Sequence, residues 1–214
     1  MSDEILDEEE QEYSGNWSGI AKNIKEKLSE ILFDLITDVP ESLLTKAENP
    51  EERVEKLIQS ACLKSATVSG TLSIPAGITG ILTSIPDIAA IWRIQAQLVA
   101  DIAATYGKMA LLSRETMVWC LFRHSAASLL RDIAVRTGTR IVVQKVSITV
   151  LHKILHKIGI KISAKVFGRI ALRAIPAIGA IGNGAYTYLD TREVGKTAED
   201  YFHALADMDK EAVK

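Results

Sequence analysis

The sequence of 214 residues predicts an all-α protein, a helical bundle of about seven to nine helices with two Gly/Pro-broken apolar segments. Apolar residues recur every three to four positions along most of the chain, which is the spacing of amphipathic helices. Asn49 and Pro50 form a typical helix start, and Gly107 a typical helix end. The two apolar segments, residues 66–86 and 174–189, carry no formal charge and contain both glycine and proline.

The composition excludes several classes of protein. Hydrophobic residues make up 48% of the chain and charged residues 24%, which excludes a wholly disordered protein. The two cysteines, Cys62 and Cys120, are too few for disulfide bonds to stabilise a fold of this size. Their apolar sequence contexts indicate structural thiols. The acidic first residues do not resemble a secretory signal or a transit peptide, so we expect a cytoplasmic location.

The first third of the chain predicts an acidic arm and two helices. Residues 1–15 are polar and acidic and predict a disordered arm, which is followed by a single domain over residues 16–214. Apolar residues at helical spacing predict an amphipathic helix over residues 17–38. The Asn-Pro pair, followed by two glutamates at the positive end of the helix dipole, predicts a second helix over residues 50–64 or slightly beyond.

A helix of about twenty residues is predicted over residues 86–107, with three charged residues on an otherwise apolar element. Asp87 suits the first turn, where its charge faces the positive end of the helix dipole. Arg93, Gln97 and Asp101 follow one another at four-residue spacing, so Asp101 is expected to pair with Arg93 or Gln97. The buried face is predicted to consist of Ile88, Ile91, Trp92, Gln95, Leu98, Val99 and Ile102.

Helices are also predicted for the rest of the chain. Residues 111–135 form one helical pattern, and residues 152–173 form a basic, amphipathic one that Gly159 and Gly168 interrupt. Residues 139–151 are rich in Thr, Ile and Val, which favours a strand locally, but the surrounding helices lead us to predict a helix. Asp190 and Glu193 are spaced as a capping box and predict the start of a last helix.

The charge is distributed unevenly along the chain. Residues 1–60 have a net charge of −10, whereas residues 133–189 contain nine basic residues and no acidic ones. This asymmetry indicates either an anionic partner or an internal cover of opposite charge. Six of the bases recur at four-residue spacing and form a slowly spiralling basic stripe on a helix: Lys153, Lys157, Lys161, Lys165, Arg169 and Arg173.

The basic stripe favours a membrane surface over a nucleic acid. Aliphatic side chains fill the gaps between its charges, as in helices that bind anionic bilayers. Nucleic acid fits less well, because few aromatic residues are interleaved with the charges. The remaining interpretation is a solvated helix face, covered by the acidic arm of residues 1–15. The partner predicted here is an anionic membrane surface or a membrane protein, and the oligomeric state stays open.

The motifs that could carry chemistry are incomplete. The Gly-Lys-Thr triplet at residues 195–197 resembles the end of a phosphate-binding loop, but Asp190 occupies the position of the required first glycine. His152 and His156 could share a metal on a helix, but no carboxylate lies between residues 132 and 190 to complete the site. The sequence therefore predicts no catalytic residue, no metal and no cofactor.

Two stretches carry a family resemblance. A Gly/Pro-rich stretch over residues 74–87 leads into a helix that ends Asp-Ile-Ala-Ala-Thr-Tyr-Gly at residue 107. A second stretch, Ile-Pro-Ala-Ile-Gly-Ala-Ile-Gly-Asn-Gly, begins at residue 175 and leads into a helix with Tyr-Phe at residues 201–202. In this arrangement the chain resembles the EcsC family over about residues 60–205. The resemblance implies an all-α, membrane-associated protein without an assigned enzymatic activity, and it carries over no catalytic residues.

The function that follows is non-enzymatic: docking on the cytoplasmic face of a membrane, or on a membrane protein there, through the basic stripe. Two alternatives stay open at this point. In one, the protein is pore-forming or membrane-inserting and uses the apolar segments 66–86 and 174–189. In the other, it is a lipid-modifying or hydrolytic enzyme that uses Asp87, Asp101 and a histidine around an apolar pocket.

Overall fold

The computed structural model describes residues 19, 22–71, 78–131, 133–137, 140–170 and 176–212, and these form six α-helices, two short 3-10 turns and one β-hairpin. The all-α class fits, although the described helices are fewer than the seven to nine expected from the sequence. The predicted acidic arm lies outside the described residues. The helices are α1 (residues 22–37), α2 (Pro50–Thr71), α3 (Ile78–Thr105), α4 (Arg114–Ala126), α5 (Ile148–Ile170) and α6 (Pro176–Ala212).

The centre of the fold is a unit of α2, α3 and α6. Helix α6 runs antiparallel to α2 and parallel to α3. All three helices meet at Gly195, where an added Cβ would lie 2.6 Å from Ile58 Cγ1 and 3.2 Å from Leu98 Cδ2. Glycine is required there because protein interiors leave no space for another carbon at such distances. Two turns further on, the Phe202 side chain is fully buried.

Helices α1 and α5 form a second layer. Helix α1 buries one residue in every turn, which fixes its apolar face against the core: Ile24, Leu28, Leu32 and Ile36. Helix α5 packs on α1, since the Phe33 and His152 rings stack at a centroid distance of 3.9 Å. The backbones approach closely at Gly159, where a Cβ would lie 2.5 Å from Ser29 Oγ.

Helix α4 begins at a typical N-cap and ends earlier than expected. The Ser113 side chain accepts a hydrogen bond of 3.2 Å from the Thr116 backbone N–H. The helix ends at Ala126 and continues only as the 3-10 turn Ala127–Leu129. The prediction of one helix over residues 111–135 is therefore wrong in its second half.

A β-hairpin replaces part of the helix predicted for residues 139–151. Strands β1 (Ala134–Thr137) and β2 (Arg140–Val143) pair in antiparallel register, with Thr137 opposite Arg140. The helical prediction is wrong for β2, and helix α5 begins only at Ile148. The β-branched residues of these strands favour the extended conformation, and this local preference prevails because the strands pair with each other.

The two apolar segments are not confirmed as broken pieces. Helix α3 begins at Ile78 and continues through Pro86, which was expected to start the helix. Helix α6 likewise begins at Pro176 and runs past its glycines, so Asp190 lies inside the helix and does not cap it. Pro75 lies outside the described residues. Tertiary packing explains the continuity, because contact with neighbouring helices outweighs the low helix propensity of glycine and proline.

Two helix boundaries are confirmed. Helix α2 begins at Pro50, with Glu51 and Glu52 in its first turn, and it extends past residue 64 to Thr71. Helix α3 ends at Thr105, and Gly107 has a φ of +69°, the left-handed conformation that favours glycine.

Candidate functional site

The described part of α5 has one buried and one basic, exposed face. The buried face packs in the core and consists of Leu151, Ile154, Leu155 and Ile158. Lys153, Lys157 and Lys161 lie one turn apart on the exposed face, which we call the basic face. None of these three lysines forms an ion pair with a residue that the structure describes. Within the described part of the chain, no carboxylate neutralises the basic face.

One exposed apolar side chain lies next to the basic face. Ile160 is 40% exposed and lies between two of the lysines. The remaining bases of the predicted stripe lie partly or wholly outside the described residues. Lys165 and Arg169 continue the helical backbone, but their side chains lie outside the described set, and Arg173 lies outside the described residues.

The polar residues Asp87, Arg93 and Asp101 do not converge. All three lie on α3, and the 14 positions between the two aspartates correspond to about 21 Å along the helix axis. A pair of carboxylates that acts on one bond must lie much closer than this. Arg93 is exposed and lines a groove between α1 and α3, which Asp101 does not reach.

Asp101 holds the connection between α1 and α2 in place. Its Oδ1 accepts hydrogen bonds from Ser42 Oγ at 2.7 Å and from Gln97 Nε2 at 2.9 Å. Gln97 Nε2 also donates to the Glu41 carbonyl oxygen at 3.1 Å. The expected pairing of Asp101 with Gln97 is confirmed, and its consequence is structural, because it fixes the connecting segment on α3.

A partly buried polar network joins α3, α4 and α6. Asp190 Oδ1 lies 2.9 Å from His124 Nε2, and Asp190 Oδ2 accepts a hydrogen bond of 2.9 Å from Gln95 Nε2. Tyr186 donates to the same carboxylate at 3.4 Å. Gln95 is 1% exposed and also donates to Thr191 Oγ1 at 3.2 Å. The sequence prediction missed this network, although the polar Gln95 within a predicted apolar face was its one signal.

The network keeps Asp190 ionised. Burial acts to raise the pKa of this carboxyl group, but the hydrogen bond and charge of His124, with hydrogen bonds from Gln95 and Tyr186, hold the pKa below its ordinary value of 3.8. Because the ionised carboxylate only accepts hydrogen bonds, His124 Nε2 must donate. The pair ties three helices together.

A second cluster lies where α3 ends. The almost fully buried Lys108 forms an ion pair with Asp209 of α6. His203 lies 3.6 Å from Glu51 and 3.2 Å from Asp207, and its ring packs edge-on against Tyr106. The Tyr106 hydroxyl is buried and has no hydrogen-bond partner among the described residues, and burial raises the pKa of this phenol. These contacts fasten the C-terminal part of α6 to the core.

Both cysteines are buried, as their apolar sequence contexts indicate. Burial raises the pKa of the Cys62 and Cys120 thiols, so neither is activated as a nucleophile. Over the described ranges, no group of three or more His, Cys, Asp or Glu side chains is arranged to hold a metal ion.

The uncharged segments meet in the fold. Helix α2 and helix α6 approach at Gly184, where an added Cβ would lie 3.5 Å from the Ala66 carbonyl oxygen. Ala66 begins the first apolar segment and Gly184 lies in the second, so the described parts of the two segments occupy the same end of the α2–α6 pair. None of the helices, as far as the structure describes them, combines the length and the apolar character that crossing a membrane requires.

Sequence comparison identifies the family. A model of the EcsC protein family matches residues 8–204 of the chain. The chain belongs to the EcsC protein family. The match confirms the resemblance seen in the two glycine-rich stretches, and it extends through α1 to the acidic N-terminal residues. No curated protein and no solved structure matches this EcsC family member.

Proposed function

We propose that this EcsC family member docks on an anionic membrane surface through the basic face of α5. The observation that supports the proposal is the exposed row of Lys153, Lys157 and Lys161, without ion-pair partners in the described chain, on a helix whose opposite face is buried. A rigidly held row of this kind presents its charges to a flat surface together, with little loss of backbone entropy on binding.

The expected affinity is moderate and sensitive to salt. Each lysine near an anionic surface contributes about 1 kcal/mol, so the three contribute about 3 kcal/mol, a factor of roughly 100 in partitioning. The exposed part of Ile160 adds shallow apolar contact. Because these charges are solvent-exposed, high salt screens them and releases the protein. The cytoplasmic leaflet, which carries the anionic lipids, is the surface that fits.

Co-sedimentation with vesicles tests the proposal. We expect the protein to bind vesicles that contain phosphatidylserine at low salt, and to bind neither those vesicles at high salt nor vesicles of phosphatidylcholine alone. The variant Lys153→Glu/Lys157→Glu/Lys161→Glu should not bind. A matched control reverses three other exposed bases, Lys64, Arg114 and Arg131. The control changes the net charge equally and should retain most of the binding.

The possible outcomes separate the alternatives. An equal loss of binding in both variants would mean that net charge, and not the basic face, governs association. Binding that survives high salt and the α5 reversals would overturn electrostatic docking and would favour insertion of the apolar segments, for which dye leakage is the next measurement. An absence of binding to any vesicle would also overturn the proposal, and would leave an acidic patch on a membrane protein as the partner to test.

A further inference from the structure

A groove of about 440 Å³ lies between α1 and α3, away from the basic face of α5. This volume is within the range of small-molecule sites, roughly 300–1,000 Å³. Its apolar lining includes Ile31 and Leu35 from α1 and the buried Ala89 and Ala96 from α3. Small residues on α3 create the space, because alanines at these positions leave room that larger side chains would fill.

Opposite charges face each other across this groove. Asp34 and Asp38 lie one turn apart at the end of α1, where the Asp38 backbone N–H bonds to the Asp34 carbonyl oxygen at 3.1 Å. Arg93 and Gln97 lie one turn apart on α3. Asp34, Asp38 and Arg93 are exposed, and none forms an ion pair within the described part of the chain. The Arg93 guanidinium and the two carboxylates therefore line the same groove from different helices without pairing with each other.

We propose that this groove binds a small zwitterion, a molecule that carries a primary ammonium group and a carboxylate or phosphate group. The ammonium would lie between Asp34 and Asp38, whose spacing lets both carboxylates accept from one donor group. The anionic group would accept two parallel N–H bonds from the Arg93 guanidinium. The apolar part of the ligand would cover Ile31 and Leu35.

Gln97 contributes a prearranged acceptor. Its Nε2 donates to Asp101 and to the Glu41 carbonyl oxygen, which fixes the amide and leaves its Oε1 as an acceptor. A polar group held by such contacts costs little entropy on binding. Asp101 therefore acts as a positioning residue for the groove, through Gln97 and through the connection that closes one end of it.

A free amino acid and a lipid headgroup both have this ligand chemistry. Titration calorimetry with one probe of each kind distinguishes them. Leucine represents a free apolar amino acid, and glycerophosphoethanolamine represents a lipid headgroup. Each probe is compared with analogues that carry charge of one sign only: 4-methylpentanoate and isoamylamine for leucine, and glycerol phosphate and ethanolamine for the headgroup. We expect one or both zwitterions to bind at least tenfold more tightly than their analogues. Equal binding of an analogue, or no heat with either zwitterion at about 10 mM, would overturn the proposal.

Three variants locate the site. Arg93→Gln should weaken binding of the zwitterion at least tenfold. Asp34→Asn/Asp38→Asn, which removes the carboxylates on α1, should weaken it to a similar extent. All three side chains are exposed, so these variants should fold, which circular dichroism and thermal melts verify. Arg114→Gln is the matched control, because it removes an equally exposed arginine outside the groove. An equal loss in the control, or unchanged binding in both groove variants, would overturn the assignment.

Discussion

Helices α5 and α6 treat their charged residues in opposite ways. On α6, charged side chains reach other elements: Asp190 bonds to Gln95 and His124, and Lys196 bonds to Glu55 at 3.0 Å. On α5, the lysines of the basic face are exposed and form no ion pair with the described residues. The difference teaches that the charges of α6 stabilise contacts between helices, whereas the basic face of α5 makes no ion pair with the described residues. We therefore expect substitutions of charged residues on α6 to lower the free energy of unfolding more than substitutions on the basic face of α5.

The largest effect is expected for Asp190→Asn. The asparagine amide replaces an acceptor by a donor that faces the Gln95 and His124 donors, and it removes the charge that strengthens these bonds. We expect the free energy of unfolding to fall by about 2–3 kcal/mol at neutral pH, measured by urea denaturation. Asp200→Asn is the control on the same helix. Asp200 is 74% exposed and lies 3.9 Å from Arg123, so its loss should cost less than about 0.5 kcal/mol.

The same variant changes the dependence of stability on pH. Because the pKa of Asp190 is lower in the folded protein than its ordinary value of 3.8, the carboxylate stabilises the fold above about pH 4. This contribution is lost as the pH falls through the folded-state pKa. The difference in unfolding free energy between the wild type and Asp190→Asn should therefore shrink between about pH 5 and pH 2. A constant difference over this range would show that Asp190 is not ionised in the folded protein.

The substitutions Gly195→Ala and Gly184→Ala should have opposite effects. At Gly195, the new Cβ would lie 2.6 Å from Ile58 Cγ1, and overpacking of this kind costs about 1–3 kcal/mol. At Gly184, the nearest atom is the Ala66 carbonyl oxygen at an ordinary 3.5 Å. There the higher helix propensity of alanine should stabilise the protein by up to about 1 kcal/mol. Thermal melts of both variants measure the difference, and a gain in stability at Gly195 would contradict the close packing of the three helices.

Local signals allowed part of the fold to be predicted from the sequence. The Pro50 start and the Gly107 end of two helices depend on backbone chemistry within a few residues, and both are confirmed. The buried face of α3 was predicted from its period, and Trp92 and Leu98 lie in the core as expected. These features need no knowledge of distant residues.

The features that were missed depend on residues far apart in the chain. Asp190 was interpreted as a cap because its partner Gln95 lies 95 positions away and leaves no periodic signal. The groove was missed for the same reason, since each wall forms only a local pattern, and no local signal places Asp34 and Asp38 opposite Arg93. In the hairpin, by contrast, the local preference for a strand was visible, and the prediction was wrong because it gave more weight to the surrounding helices.

A smaller effect is expected for Lys196→Met. Lys196 bonds to Glu199 at 2.8 Å and to Glu55, and these bonds raise the pKa of its ammonium group. The lysine side chain is 39% exposed, so solvent screens the pairs, and we expect a loss of only about 0.5 kcal/mol. The loss should decrease further in 1 M salt, where the Debye length is about 3 Å. A loss that is insensitive to salt would indicate that the methylene chain, and not the charge, stabilises the α2–α6 contact.

The smallest effect on stability is expected on α5 itself. Replacing Lys153, Lys157 and Lys161 by Gln removes no ion pair among the described residues, so none of these residues loses an ion-pair partner. It also relieves repulsion between like charges at four-residue spacing, about 0.2–0.5 kcal/mol for each pair. The free energy of unfolding should therefore stay unchanged or rise slightly, while binding to anionic vesicles falls roughly 100-fold. If urea denaturation instead shows a loss above about 1 kcal/mol, these lysines stabilise the fold as the charges of α6 do, and the contrast between the two helices disappears.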